Sequence, residues 1–289
     1  MGRLHNRRRV LNLAEAASDA KVMASVSRVL SRSPYSIADV QPLANGGQGV
    51  LYRVAPEDRD PVVLKIPSYG TCPETEHWIL EHTLRKEIGI LQRYSCDSIP
   101  LLLHYHEDDA WMFREYVDGS TLDARLATDT LTVADRVSLC RGVIEMARPL
   151  FAAFHESTNE CLVLRDFKPV NIVVEADFSR MKLVDVGSAR PEVAMLSRSP
   201  RPHRLGSGKW LYWAPEQLLG RSEDLDRRAD YFSLAATAYT ILTSTAPYSN
   251  SNPDPLSALE TYNHEYLRVC EGLRVIDEHM GVLPDYCDF

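Results

Sequence analysis

Two polar segments in the middle of the chain carry residue types suited to phosphate chemistry. Residues 164–171 read L-R-D-F-K-P-V-N, and residues 183–187 read L-V-D-V-G. A phosphoryl group in transfer carries charge on its oxygens, so the chemistry needs a carboxylate near the acceptor hydroxyl, a cation on phosphate and oxygen ligands for magnesium. These types occur in the expected order at Asp166, Lys168, Asn171 and Asp185. The pattern favours phosphoryl transfer over a merely structural polar turn between two strands.

A glycine-rich segment lies earlier in the chain. Residues 43–52 read L-A-N-G-G-Q-G-V-L-Y. Gly46 and Gly49 stand where a β-turn-β loop would bring backbone amides close to phosphates without intervening side chains. Glycine-rich hairpins are common, so this segment alone is more typical of an ordinary turn.

A lysine ends a short apolar run, V-V-L-K, at Lys65. Desolvating its ammonium without an anionic partner is costly, so we expect a nearby carboxylate. Glu87 is the candidate, because it lies beside an apolar stripe of helical spacing. The alternative is that the two residues are unrelated surface charges.

The elements that position these residues follow from periodicity. Residues 36–54 predict a strand, a turn and a second strand, and a compact β-branched run follows at 61–66. Two more strand-like runs occupy 101–105 and 110–116. Between the runs at 61–66 and 101–105, apolar residues recur at helical spacing at Leu80, Leu84, Ile88 and Leu91. The first part of the chain is therefore predicted to be an antiparallel sheet with one helix.

Beyond a predicted break at Gly119-Ser120, the chain reads as mainly helical. Thr132 and Asp135 have the spacing of a capping box. One buried helix face is predicted to contain Val137, Cys140, Ile144, Ala147, Phe151 and Phe154. The pattern divides the chain into an N-terminal basic and helical extension (1–35), a first lobe (36–117) and a second lobe (118–289).

Composition limits the classes of function. The 289 residues carry 32 Lys and Arg against 40 Asp and Glu, a formal charge of −8. No overall field therefore attracts nucleic acid or an anionic membrane surface. The apolar stretches are shorter than a membrane-crossing helix needs, and the six cysteines are scattered singly. We expect a soluble intracellular protein, cytoplasmic or nuclear, that binds neither nucleic acid nor membrane. The sequence leaves its oligomeric state open.

Over about residues 40 to 245, these motifs resemble those of eukaryotic-type protein kinases. Two further segments carry the resemblance: Ala214-Pro215-Glu216, and Asp230 in D-Y-F-S-L-A. The resemblance implies an α+β, bilobal protein-kinase fold, with a small antiparallel β-sheet N-lobe, one regulatory helix and a mainly helical C-lobe. It also implies that the cofactors are ATP and Mg²⁺. Asp230 would hold the backbone of the catalytic loop.

In the first lobe, the resemblance implies a nucleotide-contacting set. Lys65 would contact the α and β phosphates, with Glu87 as its ion-pair partner. Glu115 and Val117 would bind adenine through their backbone. The full set is Gly46, Gly47, Gly49, Leu51, Val63, Lys65, Glu115 and Val117.

In the second lobe, the resemblance implies that Asp166 is the catalytic base and Lys168 a contact to the transferred phosphate. Asn171 and Asp185 would be the magnesium ligands. These four residues, with Lys65 and Glu87, are the six polar positions on which catalysis by this family depends.

Several positions depart from the usual kinase pattern. Leu164 stands in place of a histidine and Val186 in place of a phenylalanine, and both replacements are apolar. Ala44 occupies the place of the first loop glycine. Arg114 stands where an apolar residue or threonine is usual, and a buried arginine there needs an acidic partner. Lys209 replaces a threonine, and its cation is a candidate partner for Asp166.

Two functions from different classes follow from the sequence. The first is an active serine/threonine kinase that acts on a protein substrate. The second is a pseudokinase scaffold that binds partners with weak or no catalysis. The run D-Y-F-S-L-A-A-T-A-Y at 230–239 is similar to the Bub family of spindle-checkpoint kinases and pseudokinases, which would imply a kinetochore role.

Overall fold

β-Branched and alternating apolar residues build a five-stranded antiparallel sheet near the start of the chain. A computed structural model describes residues 25–45, 49–69, 74–156, 161–192, 209–218 and 225–247. The strands are β1 (Ile37–Asn45), β2 (Val50–Pro56), β3 (Val62–Ile66), β4 (Leu102–His106) and β5 (Trp111–Glu115), in the order β1-β2-β3-β5-β4. The strands predicted in this region are confirmed.

Two α-helices of the described residues accompany this sheet. Helix α1 is described over residues 25–31, and helix α2 spans His77–Arg93. Val26 and Val29 of α1 are buried in one cluster with residues of the sheet: Val50, Tyr52, Val54, Val62, Leu64, Ile66, Trp111 and Phe113. The described end of the segment predicted as an N-terminal extension is therefore part of the core of the sheet.

The chain divides into two compact units. The described residues up to Gln92, with Leu101–Tyr116, form the first unit, and those of Arg93–Pro100 and from Val117 onward form the second. Arg93–Pro100 fell within the first lobe in the sequence-based division. This segment instead belongs to the second unit, where Tyr94 stacks on Phe154 with ring centroids 5.0 Å apart and Ser98 Oγ donates to Met146 O at 2.6 Å.

The second unit is built mainly from helices. Those in the described residues are α3 (Leu122–Thr128), α4 (Val133–His155), α5 (Pro215–Leu218) and α6 (Arg228–Thr243). The predicted capping box is confirmed at the start of α4, because the Thr132 side chain accepts from Asp135 N and the Asp135 side chain accepts from Thr132 N. No helix in the described part of the chain has the length and apolar character to cross a bilayer.

The predicted buried face of α4 needs one correction. Cys140, Ile144, Ala147, Phe151 and Phe154 are buried, whereas Val137 is 46% exposed. Arg136 faces α6, where its Nη1 donates to Ile241 O at 2.6 Å. The next residue along a helix points about 100° away, which carries the Val137 side chain to the edge of the buried stripe.

Short strands also belong to the described part of the second unit. Strands β6 (Gly119–Thr121), β8 (Ile172–Glu175) and β9 (Met181–Leu183) form one sheet in the order β6-β8-β9, and β7 (Leu162–Val163) pairs with β10 (Arg190–Pro191). The break predicted at Gly119-Ser120 is wrong, because both residues belong to β6. A Cβ at Gly119 would lie 2.3 Å from Val174 O, so the glycine permits close approach of two backbones.

Candidate functional site

Lys65 and Glu87 form a buried ion pair in the first unit. Lys65 Nζ donates to Glu87 Oε2 at 2.6 Å, and the two residues are only 4% and 1% exposed. The predicted partnership is confirmed, and the reading of two unrelated surface charges is wrong. A contact this short between desolvated charges holds both side chains in one geometry.

Regular elements place both charges. Every residue of β3 is buried, so Lys65 projects from a strand that is covered on both faces. In α2, Glu87 immediately precedes Ile88, which is fully buried, and Leu84 and Leu91 lie on the same face. The apolar stripe of the helix therefore brings the carboxylate toward the sheet.

Arg114 is the second cation at Glu87. It lies in β5 opposite Val63 of β3, and it is 4% exposed. Its Nη1 lies 3.6 Å from Glu87 Oε1. The acidic partner expected for this arginine is therefore the same carboxylate that pairs with Lys65.

The described end of the glycine-rich loop approaches Lys65. A Cβ at Gly49 would lie 2.9 Å from Ile66 O and 3.3 Å from Lys65 Cε. A larger residue there would collide with the strand backbone and press on the lysine side chain. This close approach is compatible with a loop that covers phosphates. Gly46 and Gly47, predicted for the same role, lie outside the described residues.

The remaining residues predicted to contact the nucleotide occupy distinct places. In the first unit, Leu51 pairs with Lys65 in the β2–β3 register, and Val63 is buried in β3. Glu115 ends β5, where its N–H donates to Leu101 O at 2.9 Å and its carboxylate accepts from Leu101 N at 3.1 Å. In the second unit, Val117 is buried.

Asp166, Lys168 and Asn171 meet in the second unit. Lys168 Nζ donates to Asp166 Oδ1 in a short contact. Asn171 Nδ2 donates to Asp166 O at 2.9 Å and to Asp166 Oδ2 at 3.1 Å. The carboxylate is therefore held by a cation on one oxygen and an amide on the other.

Opposing influences act on the Asp166 carboxyl. Burial raises its pKa most, and the negative charge of Asp185 raises it further. Lys168 and the Asn171 amide lower the pKa in part. The net direction is upward, which brings the carboxyl closer to the range of a general base that works near neutral pH.

Asp230 holds the loop that carries Asp166. Its carboxylate accepts from Leu164 N and Arg165 N, both at 2.8 Å, and the residue is fully buried. The role predicted for Asp230 is confirmed. It fixes a stretch in which Arg165 adopts a φ of 69°, a conformation that costs energy unless neighbouring contacts impose it.

Two supporting residues were not identified from the sequence. His155, the last residue of α4, places Nε2 2.8 Å from Asp230 Oδ2. Gln217 of α5 donates through Nε2 to Arg165 O and accepts through Oε1 from Ala214 N, both at 3.0 Å. His155 could have been found from the sequence, because it lies four residues after Phe151 and so places a polar side chain on the apolar face of α4. Gln217 had no such signal.

The two predicted magnesium ligands lie near each other in the fold. Asn171 directly precedes β8 and Asp185 follows β9, and β8 and β9 run antiparallel, with Val184 N donating to Asn171 O at 2.8 Å. The Asn171 side chain donates both of its hydrogen bonds to Asp166 through Nδ2. Its Oδ1 therefore does not face Asp166. Asp185 Oδ1 accepts from Gly187 N at 3.0 Å.

This donor set fits a magnesium ion. Amide and carboxylate oxygens are hard ligands, and Mg²⁺ typically takes one or two protein oxygens and fills the rest of its octahedron with phosphate and water. Within the described ranges there is no cluster of three or more His, Cys, Asp or Glu that could hold a metal. A dedicated all-protein cage is therefore absent from that part of the chain.

Three further positions depart from the usual kinase pattern, and the structure describes the side chains of two of them. Leu164 and Val186 are 2% and 3% exposed, so both apolar replacements are packed inside the unit. Lys209 begins a short 3-10 helix, Lys209–Tyr212. Its side chain lies outside the described part, so the expected contact with Asp166 stays a prediction.

Comparison with known proteins identifies the family. The sequence model of the family described as protein kinase domain matches residues 37–279. The chain is 33% identical over 159 residues to the tyrosine-protein kinase MasK of Myxococcus xanthus, covering 52% of this chain and 23% of that protein. It is 30% identical over 143 residues to the serine/threonine-protein kinase PknB of Mycobacterium leprae, covering 50% and 21%.

A third relative has a similar extent of match. The serine/threonine-protein kinase PknF of Mycobacterium tuberculosis is 30% identical over 158 residues, covering 50% of this chain and 29% of that protein. The matched part thus spans less than a third of each of these relatives.

Proposed function

The chain belongs to the protein kinase family, and we propose that it transfers the γ-phosphate of ATP to a serine or threonine hydroxyl of a protein substrate. Members of this family act on proteins and use ATP with a divalent metal. The proposal goes beyond family membership in three points. They are that this chain catalyses the transfer, that the acceptor is serine or threonine, and that individual residues have the roles given below.

One observation carries the proposal. The Asp166 carboxylate is held between Lys168 and Asn171, and the backbone leading into it is bonded to Asp230. Phosphoryl transfer depends mainly on positioning and on stabilising charge, so a preorganised base beside a cation and a metal ligand is the constellation it needs.

The residues have distinct roles in the proposed step. Asp166 accepts the proton of the acceptor hydroxyl as that oxygen bonds to the γ-phosphorus. The bond from the γ-phosphorus to the bridging oxygen breaks, and ADP leaves with that oxygen. Lys168 stabilises the charge on the transferred group, while Lys65, positioned by Glu87, binds the α and β phosphates.

Asn171 and Asp185 would hold the magnesium ion, which supplies charge neutralisation at the phosphates. Gly46, Gly47 and Gly49 would bring backbone amides to the same phosphates. Leu51 and Val63 would contact adenine, and the backbone of Glu115 and Val117 would hydrogen-bond to it.

The choice of acceptor is a separate part of the proposal. Lys168, two residues after Asp166, belongs to the Ser/Thr form of the catalytic loop that the sequence resembles. Two of the relatives described above are named as serine/threonine kinases, and one is named as a tyrosine kinase. Phosphoamino-acid analysis of the product distinguishes the two acceptors.

The test compares wild type with Asp166→Asn. Purified protein is incubated with ATP, Mg²⁺ and a generic acceptor protein, and γ-phosphate transfer is followed over time. We expect Mg²⁺-dependent transfer to serine or threonine by wild type and a loss of about 10²- to 10⁴-fold in the variant. Asp177→Asn is the matched control, because Asp177 is an exposed turn residue bonded to Ser179.

The alternative function is a pseudokinase scaffold. It is favoured by Ala44 in place of the first loop glycine and by the apolar Leu164 and Val186. No transfer by a folded wild-type protein, under conditions where a known kinase is active, would support this alternative. The resemblance to the Bub family and the cytoplasmic or nuclear location stay predictions from the sequence.

A further inference from the structure

Glu87 is shared between cations from two different strands. Oε2 accepts from Lys65 of β3 at 2.6 Å, and Oε1 lies 3.6 Å from Nη1 of Arg114 in β5. The strands are adjacent and antiparallel, and Arg114 faces Val63, two residues before Lys65. Each carboxylate oxygen therefore has its own cation.

We propose that Arg114 is a positioning residue that holds Glu87, and with it helix α2, against the sheet independently of Lys65. The functional consequence rests on the proposed function, in which Lys65 binds the phosphates of ATP. The anchoring itself is a property of the first unit and can be measured without nucleotide.

Burial makes the second contact effective. The side chains of Arg114 and Glu87 are 5% and 1% exposed, so solvent and salt screen their attraction poorly. A guanidinium keeps its charge at any physiological pH and has a rigid planar group. The first four residues of β5 are buried, which gives Arg114 a rigid support.

The arrangement separates two tasks that one lysine would otherwise perform alone. If Lys65 were the sole anchor, any interaction that drew its ammonium toward phosphate would weaken the hold on α2. With Arg114 on the other oxygen, Glu87 keeps a buried counter-charge while Lys65 is engaged. Helix α2 should therefore stay docked whether or not nucleotide is bound.

The test is amide hydrogen exchange across α2 in nucleotide-free protein. The variants are Lys65→Met, Arg114→Met and the combination of the two. Each single variant should raise exchange at residues 80–91 by no more than about 3-fold, and the combination by at least about 10-fold beyond the product of the singles. Full loss of protection in Lys65→Met alone, with no added effect of Arg114→Met, would overturn the proposal.

A rescue experiment separates charge from packing. In the Lys65→Met background, Arg114→Lys should retain most of the protection that Arg114→Met loses. Arg53→Met is the matched control, because Arg53 belongs to the same sheet and lies over the Tyr116 ring rather than at Glu87. Equal loss with lysine and methionine at position 114 would contradict a charge-based anchor.

A second cycle avoids the combined variant, should it fail to fold. Glu87→Gln removes the carboxylate that Arg114 is proposed to hold, so Arg114→Met should add nothing to the exchange of α2 in that background. Additive effects would overturn the proposal. Absence of phosphoryl transfer by wild type would instead reject the proposed function and leave these exchange results interpretable.

Discussion

The two polar clusters of this kinase domain are held in different ways. In the first unit, Lys65, Glu87 and Arg114 project from two strands and a helix, and none of their side chains is more than 6% exposed. In the second unit, Asp166 lies on a loop between β7 and β8, and its side chain is 19% exposed. The side chains of the first cluster are placed by packed strands and a helix. The loop that carries Asp166 is placed by hydrogen bonds to Asp230.

This difference indicates where each cluster is vulnerable. In the first unit, the apolar stripe of α2 and the buried strands fix the charged groups, so substitutions of the charges themselves matter most. In the second unit, Asp230 holds the loop backbone from behind through Leu164 N and Arg165 N. A residue that need not touch substrate can therefore disable that cluster.

Asp230→Ala should have the largest effect of the substitutions outside the reacting groups. It leaves two loop N–H groups and His155 without their acceptor, so we expect a loss of about 3 kcal/mol or more in the free energy of unfolding. Phosphoryl transfer should fall at least about 100-fold, because the loop loses its geometry. Urea unfolding and a transfer assay measure the two effects.

Asp226→Ala is the control. Asp226 lies just before α6, the helix that contains Asp230, and its Oδ1 accepts from Nε of the exposed Arg228. Near-normal transfer by a folded Asp230→Ala protein would show that the loop does not depend on this anchor.

Asp185→Asn should change the metal requirement. Replacing a carboxylate by an amide weakens the attraction for Mg²⁺, so the Mg²⁺ concentration for half-maximal transfer should rise by about 10-fold or more. The measurement is a Mg²⁺ titration at fixed ATP. An unchanged titration curve would exclude Asp185 as a ligand, and Asp177→Asn should leave the curve as in wild type.

Gly49→Ala should have a moderate effect confined to nucleotide binding. Its Cβ would meet Ile66 O at 2.9 Å and Lys65 Cε at 3.3 Å, so the loop or the lysine must shift. We expect the KM for ATP to rise by about 3- to 10-fold with a smaller change in kcat. Gly89→Ala is the control, because a Cβ at Gly89 meets no atom within 4 Å beyond its chain neighbours and the backbone of its own helix. Equal kinetics for both variants would argue against a nucleotide role for this loop.

Thr132→Ala should have the smallest effect. It removes one half of the capping box of α4, which typically costs about 1 kcal/mol of stability. Transfer at room temperature should stay within a factor of about two of wild type, because Thr132 is exposed and its side chain bonds Asp135 of the same helix end. A thermal unfolding scan and the transfer assay check both parts. A large loss of activity would mean that this helix end affects the site.

Local patterns predicted much of the fold. The capping box depends on residues three apart, and the stripe of α2 depends on one helix period, so both are visible in the sequence. The pairing of Lys65 with Glu87 was also predictable, because a buried lysine demands an anion. Each of these inferences needs only nearby residues or one strong physical requirement.

The failures share a different origin. The pattern at Gly119 predicts a break, yet the role of this glycine depends on the backbone of Val174, far along the chain. Gln217 bonds Arg165 O, a contact that only the folded chain brings about. The partner of Arg114 was predictable in type but not in identity, because several acidic residues were available. Contacts between distant segments are set by tertiary packing, which periodicity does not reveal.

The central claim is that the two clusters perform separate tasks in one phosphoryl-transfer reaction. The direct measurement is MgATP affinity and γ-phosphate transfer, made side by side on wild type, Lys65→Met and Asp166→Asn. We predict that Lys65→Met weakens affinity by about 10-fold or more and abolishes transfer, while Asp166→Asn keeps affinity within about 3-fold and loses transfer. Transfer that persists in Asp166→Asn, or a folded wild type that neither binds nor transfers, would contradict the account.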